Sequence, residues 1–90
     1  MIHSFSERDK HNRSTLTING RKVGRVHFRE YDAWLNPYKT IKLKNKSDLE
    51  RLGLTVEANL DNKSYPVKVY LKCNNKDEVA KALERAFYDL

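Results

Sequence analysis

A single cysteine, Cys73, leaves no partner for an internal disulfide. The chain is therefore not a disulfide-stapled secreted scaffold, and it reads as a protein of a reducing cytoplasm. No stretch approaches the ~20 consecutive apolar residues of a membrane-spanning helix. Residues 1–14 contain no apolar run and do not read as a signal peptide. The three glycines are scattered at 20, 24 and 53, so they build no glycine-rich phosphate loop. His3, His11, His27 and Cys73 lack the close spacing of a zinc site. No nucleophile motif precedes a suitable base. These absences point away from an enzyme and from any metal or cofactor. They leave a soluble cytoplasmic binding protein that makes no use of a membrane.

What is present is charge, arranged in blocks with apolar periodicity. Charged residues make up 33% of the 90 and apolar residues 39%, enough for one modest core. The net charge is +6, and its placement is uneven. Residues 1–45 carry ten Lys/Arg against four Asp/Glu, whereas residues 46–90 carry eight of each. The whole excess lies in the first half, which fits an anionic partner. Solubility alone would also account for a charge of this size on a small domain.

The pattern predicts a flexible polar arm over residues 1–13, in which Ile2 and Phe5 could still dock on the core, then a single α+β domain over residues 14–90. Leu16 and Ile18 alternate with threonines and lead into Asn19-Gly20, the dipeptide that best suits a type I′ hairpin turn. The returning strand spans 21–29. Its apolar phase shifts at Gly24, which predicts a β-bulge there, with Leu16 opposite Val23. Residues 30–37 hold Trp34 and end in Asn36-Pro37; they read as an irregular connection with Trp34 as a core anchor. Residues 38–44 alternate Ile41 and Leu43 with Lys42 and Lys44, as a third strand would. Ser47-Asp48-Leu49-Glu50 has the form of a capping box, and Gly53 of a helix stop, around a short central helix. Residues 54–60 and 65–73 alternate cleanly about a turn at 61–64 and predict a second hairpin. Asn75-Lys76-Asp77-Glu78 is a further N-cap. Beyond it Val79, Ala82, Leu83, Ala86, Phe87 and Leu90 form one helical stripe running to the end of the chain. The predicted architecture is an antiparallel sheet of about five strands, two hairpins plus a middle strand, with the amphipathic C-terminal helix packed on one face.

A sheet covered on one face exposes the other. Alternation then assigns Arg25, His27, Arg29, Lys42, Lys44, Lys68, Tyr70 and Lys72 to the helix-free face, with Arg21 and Lys22 at the hairpin turn extending it. Lysines and arginines neutralise phosphates and release counterions, and a tyrosine offers a platform for an unpaired base. The expected partner is therefore nucleic acid, DNA or RNA, held without catalysis. A second reading is a small phage or mobile-element type of protein that binds and inhibits or adapts a host protein. It would use an acidic surface of that partner, or pair an edge strand, at 14–18 or 65–73, with the partner's sheet. Two free edges also leave a homodimer open. A third reading is a metal-independent ribonuclease, with His27 as general base and Arg25, Arg29 and Lys42 stabilising phosphate charge. Cys73 falls on the core phase and reads as an inert thiol. The strand–turn–strand followed by Asn75-Lys76-Asp77-Glu78-Val79-Ala80 is similar in pattern, over about residues 65–86, to the three-stranded-sheet-plus-helix DNA-binding domains of plant transcription factors and phage integrase arms. In those families the sheet enters the major groove. The likeness carries no individual residue across.

Overall fold

The computed structural model describes residues 2–58, 67–88 and 90. The chain is a small α+β fold with a six-stranded antiparallel sheet and two helices. The strands are β1 (His3–Phe5), β2 (Arg13–Ile18), β3 (Arg21–Phe28), β4 (Ala33–Pro37), β5 (Thr55–Ala58) and β6 (Val67–Leu71). The helices are α1 (Lys46–Arg51) and α2 (Lys76–Glu84). The spatial order is β1-β2-β3-β4-β6-β5.

The first hairpin turns as its sequence demands. Asn19 and Gly20 take φ of 50° and 81°, the two positive values a type I′ turn needs. The bulge is present but displaced by one rung. Leu16 pairs with Gly24 and Thr17 with Lys22, so Val23 is the extra residue and is fully buried. The bulge lets Val23 and Val26 both face the core despite their odd spacing.

Three expectations about local structure are corrected. The strand between the hairpins is 33–37, not 38–44. Ala33, Leu35 and Pro37 point into the core, and Pro37 ends the strand opposite Gly24, a position where a missing N–H is tolerated. Residues 38–44 instead form a connection, held where Leu43 bridges Phe87. The polar arm is not wholly detached either. His3–Phe5 pairs with β2, and Phe5 lies edge-on to Phe28, 5.6 Å between ring centroids. Finally, α2 stops at Glu84. Lys44 N donates to Ala86 O and Tyr88 N to Lys42 O. Those bonds satisfy the tail in place of further helical turns and keep Ala86 and Phe87 buried.

Both helix starts are capped by asparagine. Asn45, rather than Ser47, caps α1, its Oδ1 accepting from Asp48 N at 2.9 Å. Asn75 Oδ1 accepts from Asp77 N and Glu78 N. Gly53 follows α1 with φ of 84°, the left-handed stop expected of it. The core is one cluster. Leu16, Ile18, Val26, Leu35, Val69 and Leu71 from the sheet meet Leu49 from α1 and Val79, Ala80 and Leu83 from α2. Among the described residues no helix is long and apolar enough to cross a membrane. The predicted turn at 61–64 and residues Asn59, Leu60, Tyr65 and Pro66 lie outside the described residues.

Candidate nucleic-acid interface

Paired residues on neighbouring strands share a face, so the register alone builds the helix-free surface. One row crosses five strands: Arg13 opposite His27, His27 opposite Trp34, Trp34 opposite Tyr70, and Tyr70 opposite Thr55. The row beside it holds Thr15, Arg25 and Asn36. Trp34 is therefore on the open face, half-buried, and is not the core anchor its size implied. Its immediate neighbours Ala33 and Leu35 take the core side.

The rings of the row interact. His27 and Trp34 stack at 3.8 Å between centroids and 10° between planes. Tyr70 lies 6.1 Å from Trp34 at 31°. Lys68 Nζ stands 4.5 Å from the centre of the tryptophan ring, and the Arg29 guanidinium 5.9 Å from that of Tyr70. Asn36 Nδ2 lies 3.2 Å from His27 Nε2. The amide donates, so the neutral imidazole carries its proton on Nδ1.

Electrostatics keep His27 neutral. Burial against Trp34 and the positive charges of Arg13, Arg25 and, more weakly, Lys68 push its pKa from 6.5 down to about 4, Asp9 opposing them. Because the folded value lies below the unfolded one, the unfolded chain binds more protons between the two. The stability associated with a neutral His27 is complete above about pH 6.5 and is lost as pH falls toward about 4. Thermal unfolding followed between about pH 7 and about pH 4.5 is expected to show this loss, and His27→Gln to flatten it. An equally steep decline in the variant would remove His27 as its source.

The cations on this face are not equally available. Arg13 is held by Asp9 at 2.7 Å, and its own amide donates to the same carboxylate, which helps hold Asp9 down at about 2. Arg29 is clamped by Asp32 through two bonds of 2.6 and 2.5 Å. Asn74 buttresses that turn by donating to the carbonyls of Arg29 and Glu30. By contrast Arg25, Lys22, Lys68 and Lys72 have no carboxylate within ion-pairing distance among the described residues. Lys22 lies opposite Thr17 next to the turn, and Lys72 follows the last residue of β6; both are exposed. Arg21, the first residue of β3, is exposed opposite Ile18. Among the described strand residues Glu57 is the acid, opposite Lys68 on the strand beside Tyr70. Burial first and the Glu57 charge next raise the Tyr70 hydroxyl's pKa, so it stays protonated.

Lys42 and Lys44 do not join this surface. They lie in the connection after β4, with Nζ atoms 5.4 and 5.9 Å from the centre of the Tyr88 ring. The grouping of Arg25, Arg29 and Lys42 around His27 that a ribonuclease would use is thus not assembled. Neither expected edge is free: β2 lies between β1 and β3, and β6 between β4 and β5. Among the described strands the sheet edges are β1 and β5. Cys73 is half-buried against the core, its thiol pushed up by burial and by Glu78. Among the described residues no set of three or more His, Cys, Asp or Glu is grouped to hold a metal ion.

Comparison with known proteins gives no match: no family model fits the chain, and no curated protein and no solved structure matches it.

Proposed function

We propose that this protein is a non-enzymatic module that binds single-stranded nucleic acid on the helix-free face of its sheet. The observation that carries the reading is the aromatic row His27, Trp34 and Tyr70, flanked by Arg25 and Lys68, neither of which has a carboxylate within ion-pairing distance among the described residues. Phosphate neutralisation needs only the cations. The half-buried aromatics between them favour strands whose bases are unpaired, because a duplex keeps its base faces stacked inside. Lys22 and Lys72 extend the cationic path along the sheet.

Titration of the chain with oligothymidylate and oligouridylate at several salt concentrations tests this. Log affinity should fall linearly with log salt, by about 0.7 per phosphate neutralised. Amide resonance shifts should concentrate on β3, β4 and β6. Binding that ignores salt, or duplex preferred over single strand, would refute it.

A second reading, contact with an acidic protein surface, draws on a different place. Leu52 and Tyr88 are 37% and 39% exposed and line one hollow of about 390 Å³ with Lys44, Asp48 and Arg51. An apolar floor with Lys44 and the Arg51–Asp48 pair on its rim, one positive charge in excess, suits an acidic segment better than a base. In the same titration, an acidic peptide that shifts residues 42–52 and 88 while oligonucleotides leave the sheet untouched would favour this reading over the first.

A further inference from the structure

We infer that the gap between Trp34 and Tyr70 is a slot for one unpaired base, covered in the free protein by the Lys68 side chain, which moves to a phosphate when the base enters. This rests on the nucleic-acid reading of the open face and gives it a specific contact.

The two sides of the tryptophan ring are occupied very differently. β4 lies between β3 and β6, so His27 approaches from one side and Lys68 and Tyr70 from the other. On the His27 side the rings are parallel at 3.8 Å, and no base can enter. On the other side the nearest ring is Tyr70, at 6.1 Å and tilted by 31°. That is too far for the two rings to stack and just short of the two spacings of about 3.4 Å each that an intercalated base would need. A small rotation of Tyr70 opens it. Lys68 Nζ, 4.5 Å above the tryptophan ring, fills the space meanwhile.

The exchange favours the base. Lys68 is only half-buried, and an ammonium over an aromatic ring is held less strongly than a base stacked on a protein aromatic. The displaced ammonium does not lose its role. Lys68 has no carboxylate within ion-pairing distance among the described residues, and its long stem reaches the backbone of the strand whose base takes its place. Tyr70 forms the far side, opposite Thr55 of β5, and His27 supports Trp34 from behind, with Asn36 hydrogen-bonded to the imidazole. The slot therefore has one wall braced by a stacked ring and a second wall, Tyr70, tilted away from it.

Trp34 is the only tryptophan, so its fluorescence reports the slot directly. The probes are oligothymidylate and oligouridylate strands of about 12 nucleotides, each paired with a strand of the same length carrying abasic sites throughout. The ordinary strands are expected to quench Trp34, shield it from acrylamide and bind roughly tenfold or more tighter than their abasic counterparts. Lys68→Ala should leave Trp34 more accessible to acrylamide in the free protein and lower the salt slope by about 0.7. Abasic and ordinary strands binding equally, with the salt dependence intact, would overturn the slot while leaving the open-face reading standing. Failure of every strand to bind would remove both. Quenching in the ordinary strand with an unchanged salt slope in Lys68→Ala would overturn the transfer of Lys68 to a phosphate. A preference for thymidylate over uridylate, or the reverse, identifies which strand the slot accepts.

Discussion

Replacing Gly24 with alanine is expected to lower the midpoint of thermal unfolding by about 12–24 °C. A Cβ at this position would lie 2.3 Å from Asn36 O, 2.8 Å from Leu35 Cδ1 and 2.9 Å from Pro37 Cα. Two of those three atoms are β4 backbone, so no rotamer change relieves the contact. The strands would have to part at the Gly24–Pro37 rung. Forcing extra volume into a packed site costs about 1–3 kcal/mol where side chains can yield, and here the main obstacle cannot. A cost of about 3 kcal/mol is a large share of the stability of a 90-residue chain, and each kcal/mol moves the midpoint by about 4–8 °C. Gly20→Ala is the matched control. Its φ of 81° is also unfavourable to alanine, but nothing lies within 4 Å of its Cβ, so only the backbone strain of about 1 kcal/mol should appear. Circular dichroism melts of the two variants within about 5 °C of each other would mean that the β3–β4 approach is not tight. The same variant bears on function. Gly24–Pro37 and His27–Trp34 are rungs of one ladder, so parting the first should loosen the His27–Trp34 stack as well.

The sequence made the sheet legible where local chemistry acts alone, and misled where a face had to be chosen by distant neighbours. Asn19-Gly20 can hardly turn otherwise, and Asn75 with two acids behind it is a helix start on any backbone. The alternation of β2 and β3 therefore assigned Arg25, His27 and Arg29 to the open face, where they lie. The middle strand was obscured by two competing signals. Asn36-Pro37 looks like a turn, yet a proline at the last residue of a strand forfeits little. Ile41 and Leu43 look like a strand, yet Ile41 is buried in a connection and Leu43 bridges the tail. A usable clue did exist. Trp34 and Leu35 are adjacent, so in extended backbone they cannot both face one core, and Ala33 and Leu35 together make the better core pair. What no local pattern contained was the stack itself. His27 and Trp34 are seven residues apart in sequence, and their contact depends on register across a connection. Tyr70 arrives from another hairpin altogether. The neutralisation of Arg13 by Asp9 and of Arg29 by Asp32 was equally invisible to a count of charges, and it transfers the cationic role to Arg25 and Lys68.

That transfer decides which variants should destroy binding. Reversing Arg25 and Lys68 together, R25E with K68E, is expected to weaken single-strand binding at about 0.1 M salt by 100-fold or more, since each lost charged contact contributes about 1.5 kcal/mol or above and two remove roughly 3. The salt slope should fall by about 1.4, twice the value for one phosphate on a single strand. Trp34→Ala should weaken binding by roughly 5- to 100-fold through the lost stack, yet leave the slope unchanged, because it removes no charge. K42E with K44E changes the net charge by the same amount as R25E with K68E, but its two lysines flank Tyr88 and not the aromatic row. It separates a specific face from a diffuse positive field. If the protein binds strands through overall charge, the two double reversals should be equally damaging. If the aromatic row and its flanking cations form the site, K42E with K44E should retain most of the affinity, because its lysines stand by Tyr88 and not by the row. None of the four reversed side chains is among the buried residues of the core, so the two double reversals should melt close to the parent protein, and a loss of binding in them then reports the surface and not the fold. Equal losses from the two reversals would remove the sheet face as the site.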